Sequence, residues 1–347
     1  MSLLQSSLQL GALTLPNRII MAPLTRCRAS AGRVPNELMR DYYVQRASAG
    51  LILSEATAVD PVGVGYPDTP GIWSEAQVAG WKKITDAVRA AGGRMFLQLW
   101  HVGRVSDPFY LDGELPVAPS AIAASGHVSL IRPQKPFVTP RALERSEIAG
   151  VVEGYRRGAE NAERAGFDGV EIHGANGYLL DQFLQSSSNH RTDDYGGTVE
   201  NRARFALEVT DAVVSVWGAD RVGYHLAPRG MGDANLAETF GTLATELGKR
   251  KLAFLCAREG LVEPRLGPAL KRAFGGAFIA NQGFTALEGE AELAAGNADA
   301  VAWGKLFIAN PDLPRRFREG ADLNVPVPET FYGAGAVGYT DYPALAG

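Results

Sequence analysis

A chain of 347 residues with 46% hydrophobic and 21% charged residues is able to bury a large core. Its formal net charge of -4 and pI near 5.8 offer no general attraction to nucleic acid or anionic lipid. The two cysteines, Cys27 and Cys256, form neither a metal-ligand spacing nor a disulfide framework, and no stretch is apolar for long enough to span a membrane. The expected setting is the cytoplasm, for a monomer or small homo-oligomer without nucleic-acid or membrane partners.

Residues 8–15 alternate about Gly11 and predict a small N-terminal hairpin that plugs one end of the fold. Short runs that are apolar throughout then recur at 18–25, 51–57, 95–100, 167–173, 222–228, 252–256, 277–280 and 300–303. Most are separated by segments with helical spacing, such as 76–91 and 147–162, and several of these stop at Ala-Gly or Gly-Gly just before the next run. Strands without alternation are what burial on both faces produces. Eight strand-then-helix units predict one closed (β/α)₈ TIM barrel over residues 1–347, rather than an open doubly wound sheet. Between about Asp107 and Arg141 the chain turns rich in proline, glycine and serine, which predicts an excursion after the third strand, lying like a lid over the mouth.

The chemical centre falls at the exit of the fourth run, in Glu171-Ile172-His173-Gly174-Ala175-Asn176-Gly177-Tyr178. An imidazole, an amide and a phenol within six residues are able to hold one electronegative group and deliver a proton nearby. A satisfied histidine and two capping residues would read the same way in isolation. What argues for function is that other polar groups share the location, since reactive groups of such barrels sit at strand C-termini. Those ends carry Pro23-Leu24-Thr25, Ala56, Gln98 followed by Trp100, His225 with Arg229, Asn281-Gln282-Gly283, and Gly304-Lys305. The last two close the seventh and eighth strands, where glycine backbone and a lysine suit a phosphate. No Gly-x-Gly-x-x-Gly opens a helix, and the five histidines show no zinc pattern and no clustering with carboxylates, so neither a Rossmann unit nor a metal is expected.

The segments Met21 to Arg26, Gln98 to Arg104, Glu171 to Leu184, Ser188 to Arg202, Phe307 to Leu313, Phe331-Tyr332-Gly333 and Gly338 to Pro343 resemble the Old Yellow Enzyme family, in family order from about Leu8 onward, and within it the bacterial N-ethylmaleimide, nitrate-ester and xenobiotic reductases. The resemblance implies a barrel that binds FMN without a covalent link, takes electrons from NADPH or NADH, and passes them to an electron-poor small molecule such as an enone, maleimide, nitrate ester or nitroaromatic. It implies Pro23, Leu24 and Thr25 along the flavin, and Ala56 and Gln98 at its pyrimidine side. It further implies His173 and Asn176 on the acceptor oxygen, Tyr178 as proton donor, and Tyr66, Trp100 and Tyr332 shaping the acceptor pocket together with Thr25.

Two positions depart from the family pattern. His225 stands where many relatives carry an arginine beside flavin N1, so either protonated His225 or Arg229 supplies that charge, or the flavin potential is lower. Lys305 replaces an arginine at the phosphate, exchanging a bidentate fork for a point charge. Two other readings remain: a lyase or aldolase binding a phosphorylated substrate without redox cofactor, for which Lys305 is the one lysine at a strand end, and a non-catalytic flavin-binding relative.

Overall fold

The computed structural model describes residues 2–229 and 235–346. A two-stranded antiparallel hairpin, β1 (Leu8–Leu10) and β2 (Leu13–Leu15), precedes β3 (Ile19–Met21), β4 (Leu51–Ala58) and β5 (Met95–Trp100). A small parallel pair follows, β6 (Val117–Ala118) with β7 (Arg141–Ala142). The remaining strands are β8 (Gly169–His173), β9 (Val222–Leu226), β10 (Phe254–Arg258), β11 (Phe278–Asn281) and β12 (Ala300–Trp303). Strands β3, β4, β5, β8, β9, β10, β11 and β12 pair in that order, and β12 closes on β3. All eight pairings are parallel. The closed (β/α)₈ barrel expected from the apolar runs is therefore present.

Two layers of apolar packing hold it. Inside the barrel, Ile20, Leu51, Leu53, Phe96, Phe254, Cys256 and Ile279 form one cluster, and Leu10 and Leu15 of the hairpin join it, so the hairpin is the plug of the barrel floor. Phe96 and Phe254 meet at 5.9 Å between ring centroids. Their bulk explains two strand glycines. A Cβ on Gly169 would lie 2.3 Å from the Phe96 ring and one on Gly223 2.1 Å from the Phe254 ring, so either would force the ring out of the core. Outside, the alternate strand residues, such as Ile52, Leu97, Val170 and Val222, face the helices.

The helices are α1 (Glu37–Val44), α2 (Glu75–Ala90), α3 (Arg145–Arg164), α4 (Leu179–Leu184), α5 (Val199–Trp217), α6 (Leu236–Lys249), α7 (Gly267–Phe274), α8 (Ala286–Ala294), α9 (Lys305–Ala309) and α10 (Leu313–Glu319). Capping boxes start α2 at Ser74 with Gln77 and α8 at Thr285 with Glu288. No helix among the described residues is long and apolar enough to cross a membrane.

The excursion after β5 is fastened beside the barrel. Lys135 pairs with buried Asp107 at 2.8 Å, the Tyr110 hydroxyl donates to the Ser129 carbonyl, and Arg191 donates to the Pro119 carbonyl. The rest of the rim is built by the C-terminal stretch, held by three arginines that donate to its backbone. Arg26 reaches the carbonyls of Phe331 and Gly338, Arg28 those of Thr330, Gly335 and Val337, and Arg46 that of Tyr339. Tyr339 stacks on Tyr42 at 4.1 Å.

Candidate active site

A cavity of about 1080 Å³ opens at the C-terminal ends of the barrel strands. Its wall takes in Pro23, Leu24, Thr25, Ala56, Gln98, His173, Asn176, Tyr178, His225, Asn281, Gln282, Gly283, Gly304, Lys305 and Tyr332, so most residues singled out by sequence share one chamber. Trp100, Tyr66 and Arg229 are not on it. Trp100 is fully buried one layer back, packing edge-on to Tyr178 at 5.1 Å and along His173 at 6.5 Å, and Tyr66 hydrogen-bonds the Tyr178 hydroxyl at 2.8 Å. Both were expected on the pocket wall; the structure makes them the backing that fixes Tyr178 and His173. Nor does the excursion at 107–141 line the cavity: that side is walled by Phe317, Gly320, Leu323, Pro326, Phe331 and Tyr332.

At the exit of β8, Asn176 and Gly177 take φ of 59° and 75°, conformations that asparagine and glycine tolerate, and the chain turns sharply into α4. The Gly177 N–H donates to Asp181 at 2.8 Å and pins the turn. His173 accepts from the Ala175 N–H on Nδ1, which leaves Nε2 as the protonated, donating nitrogen. Burial, with the charges of His225 and Arg258, holds its pKa well below the usual histidine value, so the ring is neutral. Tyr178 is pushed well above the ordinary phenol value by burial and by Tyr66, so it keeps its proton. The exit is thus a set of neutral donors.

The floor is different. His225 on β9 lies at 3.4 Å, Nδ1 to Oε1, from Glu171 on β8, and beside the Cys256 thiol on β10. Parallel register makes this possible, since His173 pairs with His225 and His225 with Cys256. Burial works against charge on His225, but Cys256 and Glu171 outweigh it and lift its pKa to about 10, so it is an imidazolium at neutral pH. The expectation that no histidine clusters with a carboxylate is corrected here: three strands contribute one residue each, a closeness only register creates. With His225 protonated, its Nδ1 and the Glu171 carboxylate form a buried ion pair. Gln98 donates to the other Glu171 oxygen at 2.7 Å, which leaves its amide oxygen to the cavity. Arg229, the rival cation, is turned away: it pairs with buried Glu259 at 2.9 Å and donates to the Pro264 carbonyl.

Among the wall residues missed from sequence, one carries a charge beside the β8 exit. Arg258 ends β10, lines the cavity and donates from Nη1 to Asn176 Oδ1 at 2.8 Å. The sixth apolar run was ended at Cys256, yet the strand runs on to Arg258, whose place two residues further along the same strand was the available signal. The far wall holds Asn281, whose amide donates to the Ala302 carbonyl at 2.9 Å, with Gly283, Gly304 and the Lys305 ammonium beside it.

Comparison with known proteins agrees with this geometry. The profile of the NADH:flavin oxidoreductase / NADH oxidase family matches residues 4–324. Morphinone reductase, solved in complex with tetrahydroNAD, is 52% identical with a TM-score of 0.95, covering 99% of this chain and 98% of its own. The Old Yellow Enzyme homologue of Zymomonas mobilis is 46% identical with a TM-score of 0.96, covering 99% of each chain. The 12-oxophytodienoate reductase 1 of Oryza sativa subsp. japonica is 44% identical over 357 residues, 97% of this chain and 92% of its own. The chain belongs to the NADH:flavin oxidoreductase / NADH oxidase family, the Old Yellow Enzyme group of FMN-dependent oxidoreductases.

Proposed function

We propose that this oxidoreductase reduces activated alkenes, enones and maleimides first among them, in alternation with a nicotinamide dinucleotide, and that nitrate esters and nitroaromatics share the same acceptor position. The observation that carries the reading is the exit of β8, where the His173 Nε2 donor, the Asn176 amide and the neutral Tyr178 phenol face one chamber. Addition of hydride to an electron-poor alkene builds negative charge on its oxygen, and two fixed donors aimed at that oxygen stabilise the charge as it develops. The Asn176 oxygen is occupied by Arg258, so its NH₂ group is the part left to donate. Tyr178, backed by Tyr66, then holds the proton for the α carbon.

FMN, when bound, supplies the hydride, which no side chain provides. The wall suits it: Pro23 to Thr25 offer an apolar edge, the Gln98 oxygen an acceptor, His225 a cation at the floor, and Asn281 to Gly283 with Gly304 and Lys305 a place for phosphate. The single closed barrel and the hold of Arg26, Arg28 and Arg46 on the C-terminal stretch argue for one functional unit over 1–347. Cys27 and Cys256 are both free and buried, which supports a reducing, cytoplasmic setting. Lys305 is the only lysine on the cavity wall among the described residues and stands on the phosphate side, which argues against a Schiff-base lyase.

The test is spectroscopic. Purified protein should carry a flavin spectrum, bleach with NADPH or NADH without oxygen, and recover its colour on addition of a cyclic enone. Protein that gains no flavin spectrum with added FMN sinks the proposal; protein that bleaches but is not reoxidised by any activated alkene removes its acceptor half.

A further inference from the structure

Although the protein is negative overall, its cavity wall contains no aspartate or glutamate among the described residues, while Arg258, Lys305, Arg316 and His225 all line it. Two of these four cations are already neutralised. Arg316 pairs with Asp312 at 2.7 Å, and His225 with Glu171. The other two have no carboxylate within ion-pair distance among the described residues, and they stand at different strand exits: Lys305 after β12, and Arg258 at the end of β10, held to Asn176. A flavin mononucleotide brings one phosphate, and Lys305 with the neighbouring glycines accounts for it. Arg258 is left over on the side where substrates bind. Its contact with Asn176 uses one Nη1 hydrogen of five guanidinium donors, and the group is exposed to the chamber.

Resting on the acceptor-site reading above, we propose that Arg258 is a specificity residue for an anionic group, carboxylate or phosphate, on the molecule that takes its turn in the acceptor chamber. A guanidinium matches either oxyanion with two parallel hydrogen bonds, and the neutral wall around it, Asn176, Tyr178 and Tyr332, provides no competing anion. The placement ties recognition to chemistry. The arginine that takes the anion also fixes the Asn176 amide with its NH₂ toward the chamber, so an anionic substrate is drawn to the place where its electron-poor bond meets the donors. The two sources of such an anion are a carboxylate on the acceptor and the phosphates of the dinucleotide, and they act in separate half-reactions.

The experiment uses the FMN-loaded enzyme and measures each half-reaction by stopped flow. For reoxidation, a cyclic enone bearing a carboxylate side chain is compared with its methyl ester; for reduction, NADPH and NADH are compared with a neutral N-benzyl dihydronicotinamide. The parent should prefer an anionic member, and the preference should shrink as salt is raised. In Arg258→Gln the charged-to-neutral ratio of kcat/KM should fall about tenfold, and Arg258→Lys should restore part of it. A fall confined to the carboxylate pair assigns the anion to the acceptor, and one confined to the dinucleotides assigns it to the reductant. Equal loss on charged and neutral partners, with no change of ratio, overturns the proposal and leaves Arg258 only as the support of Asn176. Failure of both the carboxylate and its methyl ester to reoxidise the parent enzyme would instead count against the acceptor reading itself.

Discussion

Two histidines, His173 and His225, sit at the same level of adjacent strands with ring centroids 5.8 Å apart, both buried, yet in opposite charge states. His173 has backbone around Nδ1 and a cation for a neighbour, and stays neutral. His225 has Glu171 against Nδ1 and is charged. Burial alone therefore does not decide protonation here; Cys256 and Glu171 beside His225, with no counterpart beside His173, do. A charge at the floor and a neutral donor at the rim are both useful, and the chain obtains them from one residue type by placing Cys256 and Glu171 beside one of the two rings.

The strongest way to break this contrast is to remove the rim donors. His173→Ala with Asn176→Ala should lower the rate of reoxidation by an enone about 10³-fold, with flavin still bound, because a single such donor is worth roughly 10²–10³. Rapid-mixing absorbance at the flavin band reads this; an unchanged rate would mean that the β8 exit is scaffold. Tyr178→Phe should cost about 10²-fold in the same half-reaction and little in reduction by the nicotinamide. Equal slowing of both halves would make Tyr178 a positioning group.

The floor is tested by Glu171→Gln, which leaves a buried imidazole without its counter-charge. His225 should then titrate far below 10, and stability at pH 7 should drop by about 3 kcal/mol, as when one partner of a buried pair is removed. Denaturant unfolding and the imidazole resonances measure the two effects together.

The pH dependence of stability sharpens the contrast further, since the two rings contribute opposite limbs. His225, raised when folded, stabilises fully below about 6.5 and loses that contribution as pH rises toward about 10. His173 is lowered when folded, so its contribution is lost as pH falls below about 6.5; His101, lowered by burial to about 4, adds to the same limb. Unfolding curves should show the alkaline limb flattened in His225→Gln and the acid limb kept. The smallest expected effect is that of Tyr66→Phe, which removes one hydrogen bond to Tyr178 and should slow proton delivery about threefold to tenfold.

Apolar runs such as Leu51 to Thr57 announced the barrel because burial on both faces leaves a compositional trace, and the helices between them announced parallel pairing. The β8 exit was legible for a different reason: His173, Asn176 and Tyr178 are neighbours in the chain. The ion pair of Glu171 with His225 was not, because it depends on register across β8, β9 and β10. Arg258 was passed over because Ala257-Arg258-Glu259-Gly260 looks like the start of a polar loop, whereas a strand that ends in a polar chamber carries charge at its last residue. The wall from Phe317 to Tyr332 was hidden by distance, since nothing local in that stretch points to a cavity formed by residues 300 positions earlier.

That wall has a consequence for how the protein comes into being. Arg26, Arg28 and Arg46, near the first barrel strands, each have a local partner, Tyr42 or the Arg26 carbonyl, but donate most of their hydrogen bonds to carbonyls between Phe307 and Tyr339. Until a ribosome has delivered that stretch, three cations near the chamber lack their C-terminal acceptors and the Phe331 and Tyr332 side of the wall is missing. The nascent chain is therefore a poor trap for a flavin, and capture of the nucleotide belongs to the interval after this stretch is made, when it folds back onto the first barrel strands and completes the wall.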